Sequence, residues 1–378
     1  LCYIPVNCFI VCVTLLNCLN DQGSDNALPT TLTELYQAAL VYFDKNHNRN
    51  ETNENYDMVV NDLQQLAFHG MKKDKMIFHG KDVSKQMKES GLLHCLPVPF
   101  FPIQVQVCFI HLTVQEFLAA KHIVETKEPK EIEDFISSHV NDGKWHLVLQ
   151  FLAGLLGKEM EMFEEYRSCV LAFGEHLHSQ IEVEGEDIIY TVLNDELLMK
   201  CLRETESEDI ANEIASTSAL KGVTKIHNGY CDEWLSPSDW AATVFVCKHL
   251  NCLKTLCLCR IPDLDCVLQI TKLLHHRCIE TLDFFLCEIS PVQEVLNHLL
   301  GAMATSECRI NHEHSKLTHL SLFAIKITDD DISILTDFLE NTQNVCLKNL
   351  NLSCNEITSG GISKFCDVLG HESCNQLE

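Results

Sequence analysis

The chain has 378 residues, 46% of them hydrophobic, enough to bury two or three cores rather than one. Lysine and arginine number 28 against 54 aspartate and glutamate, a formal net charge of −26, and so acidic a surface repels phosphate backbones and anionic lipid heads; nucleic acid and membrane surfaces are excluded as default partners. The 21 cysteines are odd in number and mostly sit inside apolar runs such as "LKTLCLCRI", the usage of buried, reduced thiols in a cytoplasmic protein rather than of a secreted disulfide scaffold.

The first nineteen residues, "LCYIPVNCFIVCVTLLNCL", carry no charge. Pro5, Asn7 and Asn17 interrupt the run and no basic residue flanks it, so it predicts a buried helix and neither a membrane span nor a signal sequence. The lack of an initiator methionine and the abrupt end at "CNQLE" mark a piece of something longer. After the loop "NDQGSDN", apolar residues at Leu32, Leu35, Tyr36, Ala39, Leu40 and Phe43 share one helical face, and Thr31 with Glu34 forms a capping box, so a helix is predicted from Leu32. A second helical pattern runs through Val59, Val60, Leu63, Leu66 and Ala67.

From Lys75 the pattern shortens: "MIF", a small helix near Asp82 to Lys88, then "LLHCL" and "VQVCFIHL" around the turn "PVPFFP". Helices, a hairpin and a further helix describe a winged-helix domain over 31–120. Such domains often bind DNA, yet Leu92 to Ala120 contains no lysine or arginine with which to meet phosphates. Residues 121–235 read as an all-helical domain, with "WHLVLQFLAGLLG" apolar nearly all round like a helix buried in a bundle. Within it, from Lys158 to Glu213, sixteen acidic residues stand against four basic ones, either a solvated face or a docking surface for a basic partner.

The last third, 236–378, repeats. Leu347, Leu350, Leu352, Asn355 and Ile357 fit the leucine-rich-repeat consensus, and the frame recurs from Leu317, from Ile279 and, more loosely, from Leu253. About four units, with a fifth cut short, predict strand–helix pairs that bury their apolar faces only by stacking. Asn355 is expected to turn inward onto backbone groups of the neighbouring unit; Ile325 holds the equivalent place one unit earlier. The fold class expected is multi-domain α and α/β: a winged-helix domain, an all-α helical domain, then an α/β leucine-rich-repeat solenoid of the ribonuclease-inhibitor-like kind.

Signatures of catalysis do not occur. The three Gly-Lys pairs, at Gly80, Gly143 and Gly157, are followed by Asp, Trp and Glu rather than Ser or Thr, so no phosphate loop is encoded and an enzyme is not expected. Cys247, His249, Cys252, Cys257 and Cys259 have ligand chemistry for zinc but irregular spacing, and no metal is expected there. In "VQVCFIHL", alternation puts Val105, Val107, Phe109 and His111 on one strand face, and a Thr113–Glu116 capping box starts the next helix at Val114. His111 then lies at a strand end beside a helix N-terminus, where amides and the helix dipole favour an anion. A structural histidine and an anion contact are the two readings these residues leave open.

Five stretches in order, "LCYIPVNCFIVC", "LPTTLTELY", "FIHLTVQEFLAA", "WHLVLQFLAGLLG" and "LNLSCNEITSGGI", resemble the NOD-like receptors, cytosolic proteins of innate immunity in which a NACHT nucleotide-binding module precedes leucine-rich repeats. The resemblance spans the chain and implies the end of the first helical domain (1–30), the winged helix (31–120), the second helical domain (121–235) and the repeats (236–378), with the ATPase core lying upstream of Leu1. It implies that His111 corresponds to the histidine contacting the β-phosphate of ADP, and that Pro5 occupies the place of the proline packing on adenine. It further implies ADP/ATP control in the full-length receptor but no tight nucleotide binding by this part alone, self-oligomerisation on activation, and a protein or pathogen-derived ligand on the repeats. A repeat-based interaction scaffold without nucleotide control is the alternative.

Overall fold

The computed structural model describes residues 8–12, 14, 16, 28–47, 53–96, 105–176, 180–185, 188–193, 196–216, 225–228, 236–261, 263–276, 279–287, 290–304, 317–341 and 347–369. The chain divides into two compact units, Leu1–Leu177 with Cys201–Ser207, and His178–Lys200 with Glu208–Glu378.

In the first unit, residues 8–12 are helical, with Ile10 and Thr14 buried and Phe9 and Leu16 exposed. The described residues of the uncharged N-terminal run are therefore buried on one side only. Among the described residues no helix is long and apolar enough to cross a membrane.

Helix α1 (Leu32–His47) begins where the sequence predicts. The Thr31 hydroxyl accepts the Glu34 N–H at 3.2 Å, half of the expected box, while the Glu34 carboxylate takes the Thr30 N–H at 2.8 Å. The larger share of capping comes from far along the chain. The Glu204 carboxylate accepts the Leu32 and Thr33 N–H groups at 3.1 and 2.9 Å, the Thr33 hydroxyl at 2.6 Å and the Gln150 amide at 3.2 Å. A carboxylate at a helix N-terminus satisfies orphan donors and complements the dipole at once.

Helix α2 (Asn53–Lys72) leads into β1 (Ile77–His79), a short α3 (Lys85–Glu89) capped by Ser84, then β2 (Leu93–Leu96), β3 (Gln106–Phe109) and α4 (Leu112–Thr126). The strands form an antiparallel sheet in the order β1-β3-β2, with Phe78 opposite Val107 and Leu93 opposite Phe109. These four residues are buried, so alternate positions of each strand face the helices.

Helices α5 (Pro129–His139), α6 (His146–Met162) and α7 (Arg167–His176) follow, and α6 packs on α4. The "FLAGLLG" run is buried on nearly every side, as predicted, and its two glycines have separate partners. A β-carbon on Gly154 would lie 2.2 Å from the Thr33 hydroxyl, and one on Gly157 2.8 Å from the Thr205 carbonyl oxygen. Only hydrogen fits at either point.

The second unit corrects the all-helical reading of 121–235. Strands β4 (Gln180–Gly185), β5 (Ile188–Leu193) and β6 (Lys225–Asn228) lie within that range, alongside helices α8 (Glu196–Thr205) and α9 (Glu208–Ser216). In "QIEVEG" acidic residues alternate with apolar ones, the period of two that suits a strand. The β4–β5 hairpin is antiparallel and occupies one edge of a seven-stranded sheet, in the order β10-β9-β8-β7-β6-β5-β4.

Every other pairing in that sheet is parallel. Helix α10 (Pro237–Cys247) comes before β7 (Thr255–Cys259), which with β8 (Thr281–Phe285), β9 (His319–Phe323) and β10 (Asn349–Asn351) coincides with the four repeat frames, each followed by a helix: α11 (Leu264–His276), α12 (Val292–Ala304), α13 (Ile332–Asn341) and α14 (Ser359–Leu369). Leu256, Leu282, Leu320 and Leu350 stand in one register row, and Leu258, Phe284 and Leu322 in the next. Asn355 turns inward as expected. Its Oδ1 accepts the Ile325 and Ile327 N–H groups at 3.0 and 3.1 Å, and its amide donates to the Leu322 and Leu352 carbonyls at 2.7 and 2.9 Å. In the unit from Ile279 the same place is held by Cys287, whose sulfur accepts the Ile261 N–H at 3.4 Å.

Candidate functional site

His111 is not a strand residue. Strand β3 ends at Phe109, and His111, with extended backbone angles of φ −156° and ψ 156°, is the N-cap of α4, which starts at Leu112 rather than Val114. The expected Thr113–Glu116 box gives way to a cap in which the imidazole accepts the Thr113 N–H on Nδ1 at 3.2 Å. Histidine replaces the usual Ser, Thr, Asp or Asn here because Nδ1 lies close enough to the backbone to reach the same orphan amide.

The Thr113 hydroxyl lies 2.9 Å from His111 Nδ1 and is also hydrogen-bonded to the phenol of Tyr36 on α1. Tyr36 is buried, its ring centroid 5.5 Å from that of Phe117 and 5.1 Å from that of Phe151, and burial pushes its hydroxyl up to about 12. The next turn carries further buried polar groups. Gln115 donates to the Lys75 carbonyl at 3.1 Å and ties α4 to the turn that follows α2. Glu116, 8% exposed, makes no hydrogen bond or ion pair among the described residues, and burial pushes its carboxyl up to about 7.

His111 itself is half-buried, and its Nε2 makes no hydrogen bond among the described residues. The arrangement is a helix N-terminus with one unengaged imidazole nitrogen, able to meet an anion. The sequence located the histidine and the helix start to within two residues. It did not point to Tyr36, which reads as one more apolar position of α1, nor to Glu116, which reads as half of a cap. Pro5 lies outside the described residues.

A second concave feature lies on the strand face of the repeats, a groove of about 650 Å³ bordered by Cys257, Asp283, Phe285, His319, Ser321 and Asn351. Phe285 and Phe323 stack across β8 and β9 with centroids 4.6 Å apart and planes 6° from parallel. Their pairing follows from identical register positions in successive units, which sequence periodicity implies but does not identify as a surface.

Of the five residues with zinc-ligand chemistry, at which no metal is expected, Cys257 is hydrogen-bonded through its thiol to the Asp283 carboxylate at 3.1 Å, and burial pushes that thiol up to about 12. Cys259 is buried, Cys252 is exposed, and the Nδ1 of His249 meets the Asn212 side-chain oxygen at 2.9 Å. Among the described residues no three His, Cys, Asp or Glu side chains converge as a metal site.

No protein-family model matches the chain. Curated relatives do. Protein NLRC5 of Homo sapiens is 30% identical over 149 residues, covering 37% of this chain and 8% of that protein. NACHT, LRR and PYD domains-containing protein 4C of Mus musculus is 22% identical over 410 aligned positions, covering 99% of this chain and 39% of that protein. NACHT, LRR and PYD domains-containing protein 3 of Bos taurus is 22% identical over 432 aligned positions, covering 99% and 41%. The chain thus spans less than half the length of each of these relatives. Two proteins with NACHT and leucine-rich-repeat domains thus align along almost all of the chain, which is similar to NOD-like receptors from one end to the other.

Proposed function

We propose that this chain is the regulatory and ligand-sensing part of a cytoplasmic innate-immune receptor, whose winged helix holds an ADP-bound closed state and whose leucine-rich repeats sense ligand or restrain assembly. The observation that carries the reading is His111: a helix N-cap whose Nδ1 is engaged and whose Nε2 makes no hydrogen bond among the described residues. The sheet order β1-β3-β2 between helices α2 and α4 supports the winged-helix assignment, and the parallel rows of leucine support the solenoid.

The residues present fit a nucleotide phosphate. His111 supplies a hydrogen-bond donor beside the N-terminal amides of a 15-residue helix, and no acidic residue occupies the first turn to repel an anion. Bound ADP supplies charge that the histidine can hold across the closed state. Hydrolysis is not assigned to this chain, which encodes no phosphate loop. The repeat groove, lined by Phe285, which stacks on Phe323, is the surface offered to a protein or pathogen-derived ligand.

One hydrogen bond to a charged phosphate contributes about 1.5–3 kcal/mol, enough to bias a two-state equilibrium roughly tenfold or more. His111→Leu in the receptor that carries this chain is therefore expected to lose ADP faster and to raise basal oligomerisation, read by nucleotide content and size-exclusion profile. ADP retention and assembly equal to wild type would refute the phosphate role and favour a repeat scaffold without nucleotide control.

A further inference from the structure

We propose that Tyr36 and Thr113 are positioning residues that hold His111 in the neutral tautomer protonated on Nε2, so that the imidazole meets an anion as an uncharged hydrogen-bond donor. Its functional half rests on the phosphate reading above; the tautomer does not.

The direction of every hydrogen in the cluster follows from one fixed donor. A backbone amide only donates, so the Nδ1 facing the Thr113 N–H at 3.2 Å carries a lone pair and no hydrogen. The Thr113 hydroxyl, 2.9 Å from that lone pair, must then point its single hydrogen at Nδ1. With that hydrogen committed, the Thr113 oxygen meets Tyr36 as an acceptor, and the phenol donates. Donation runs one way, Tyr36 to Thr113 to His111, and the ring hydrogen of His111 is left on Nε2.

The surroundings keep this order. Tyr36 is 2% exposed and Thr113 7%, so water does not compete for either hydroxyl. The aromatic contacts with Phe117 on α4 and Phe151 on α6 fix the phenol, and its raised ionisation range keeps it a donor at every physiological pH. A donor so arranged needs no proton uptake before it meets an anion, unlike a histidine that pairs with phosphate as an imidazolium.

The test is long-range proton–nitrogen correlation on the full chain with ¹⁵N-labelled histidine, using His111→Asn only to assign the signal. The expected pattern is an unprotonated-type Nδ1 and a protonated-type Nε2 for His111. Thr113→Val should move the Nδ1 signal toward that of an imidazole nitrogen without a hydroxyl donor, and Thr113→Ser should restore it. Tyr36→Phe should shift the Nδ1 signal in the same direction as Thr113→Val but by less, because the Thr113 hydroxyl is then held only by His111, and the hydroxyl hydrogen should exchange faster with water. A protonated Nδ1, two averaging tautomers, or an Nδ1 signal indifferent to Thr113→Val would overturn the proposal.

ADP release from the receptor separates this idea from the one beneath it. Thr113→Val is expected to speed release about threefold, less than His111→Leu, because it loosens the donor without deleting it. The expected nitrogen pattern with unchanged release in both variants supports the relay and sinks the phosphate reading. Faster release in His111→Leu with a mobile or inverted tautomer does the reverse.

Discussion

Glu204 accepts four hydrogen bonds at the start of α1, three of them from residues about 170 positions earlier in the chain. Removing it orphans two backbone donors at a buried helix end, and Glu204→Ala is expected to lower unfolding stability by about 2–4 kcal/mol, measured by urea titration. Glu116 acts in the opposite sense. Burial raises its carboxyl from 4.5 to about 7, so between those values the folded chain holds a proton that the unfolded chain has released. Stability therefore falls as pH rises through that window and levels off above it, a loss on the order of 3 kcal/mol. Glu116→Gln should flatten this slope and raise the unfolding midpoint at about pH 8 while changing little near pH 4; an unaltered pH profile would show that another group titrates. Neither carboxylate was legible from its neighbours. Thr31 was, because a cap is written within four residues, whereas the partners of Glu204 are brought to it only by folding.

At the scale of elements, α6 shows what helix packing asks of single positions. Gly154→Ala would drive a β-carbon into the Thr33 hydroxyl and is expected to destabilise by about 2 kcal/mol or more. Gly301→Ala, on α12 where the new carbon meets nothing within 4 Å, should instead stabilise by roughly 0.5–1 kcal/mol through helix propensity and reduced chain entropy. Opposite signs in thermal melts of the two variants would establish that close approach, not glycine itself, is what α6 requires. The repeats carry an equivalent demand without glycine. Arg260, Leu286 and Ala324 each follow their strand by one residue, Cys354 holds the equivalent place in its repeat three residues after β10, and all four have φ between 51° and 59°. The bend after the strand is set by stacking on the next unit, which overrides a local preference worth about 1–2 kcal/mol per residue. Four unrelated side chains at that position conceal the conformation from any sequence pattern. The β4–β5 hairpin was concealed in another way: alternating Ile181 and Val183 with Glu182 and Glu184 fits a strand, but pairing at a sheet edge decides whether it forms one.

For the whole molecule, a net charge of −26 means that like charges oppose compaction at low ionic strength. Raising salt from about 0.02 to 0.2 M should raise the melting temperature by shortening the screening length to within about 10 Å; a falling melting temperature would show that the surface ion pairs, Lys158 with Glu34 among them, outweigh the net repulsion. The sequence by itself determined the repeat frames, the helices of the first unit, the inward turn of Asn355 and the position of His111 at a helix start, because each depends on side-chain periodicity or on capping within a few residues. The tertiary structure alone decided that Glu204 caps α1, that Tyr36 and Thr113 stand behind His111, that Phe285 and Phe323 stack, and that an acidic hairpin extends the parallel sheet. Those contacts join residues far apart in the chain, and the hydrogen bonds and packing that select them exist only once distant elements have come together.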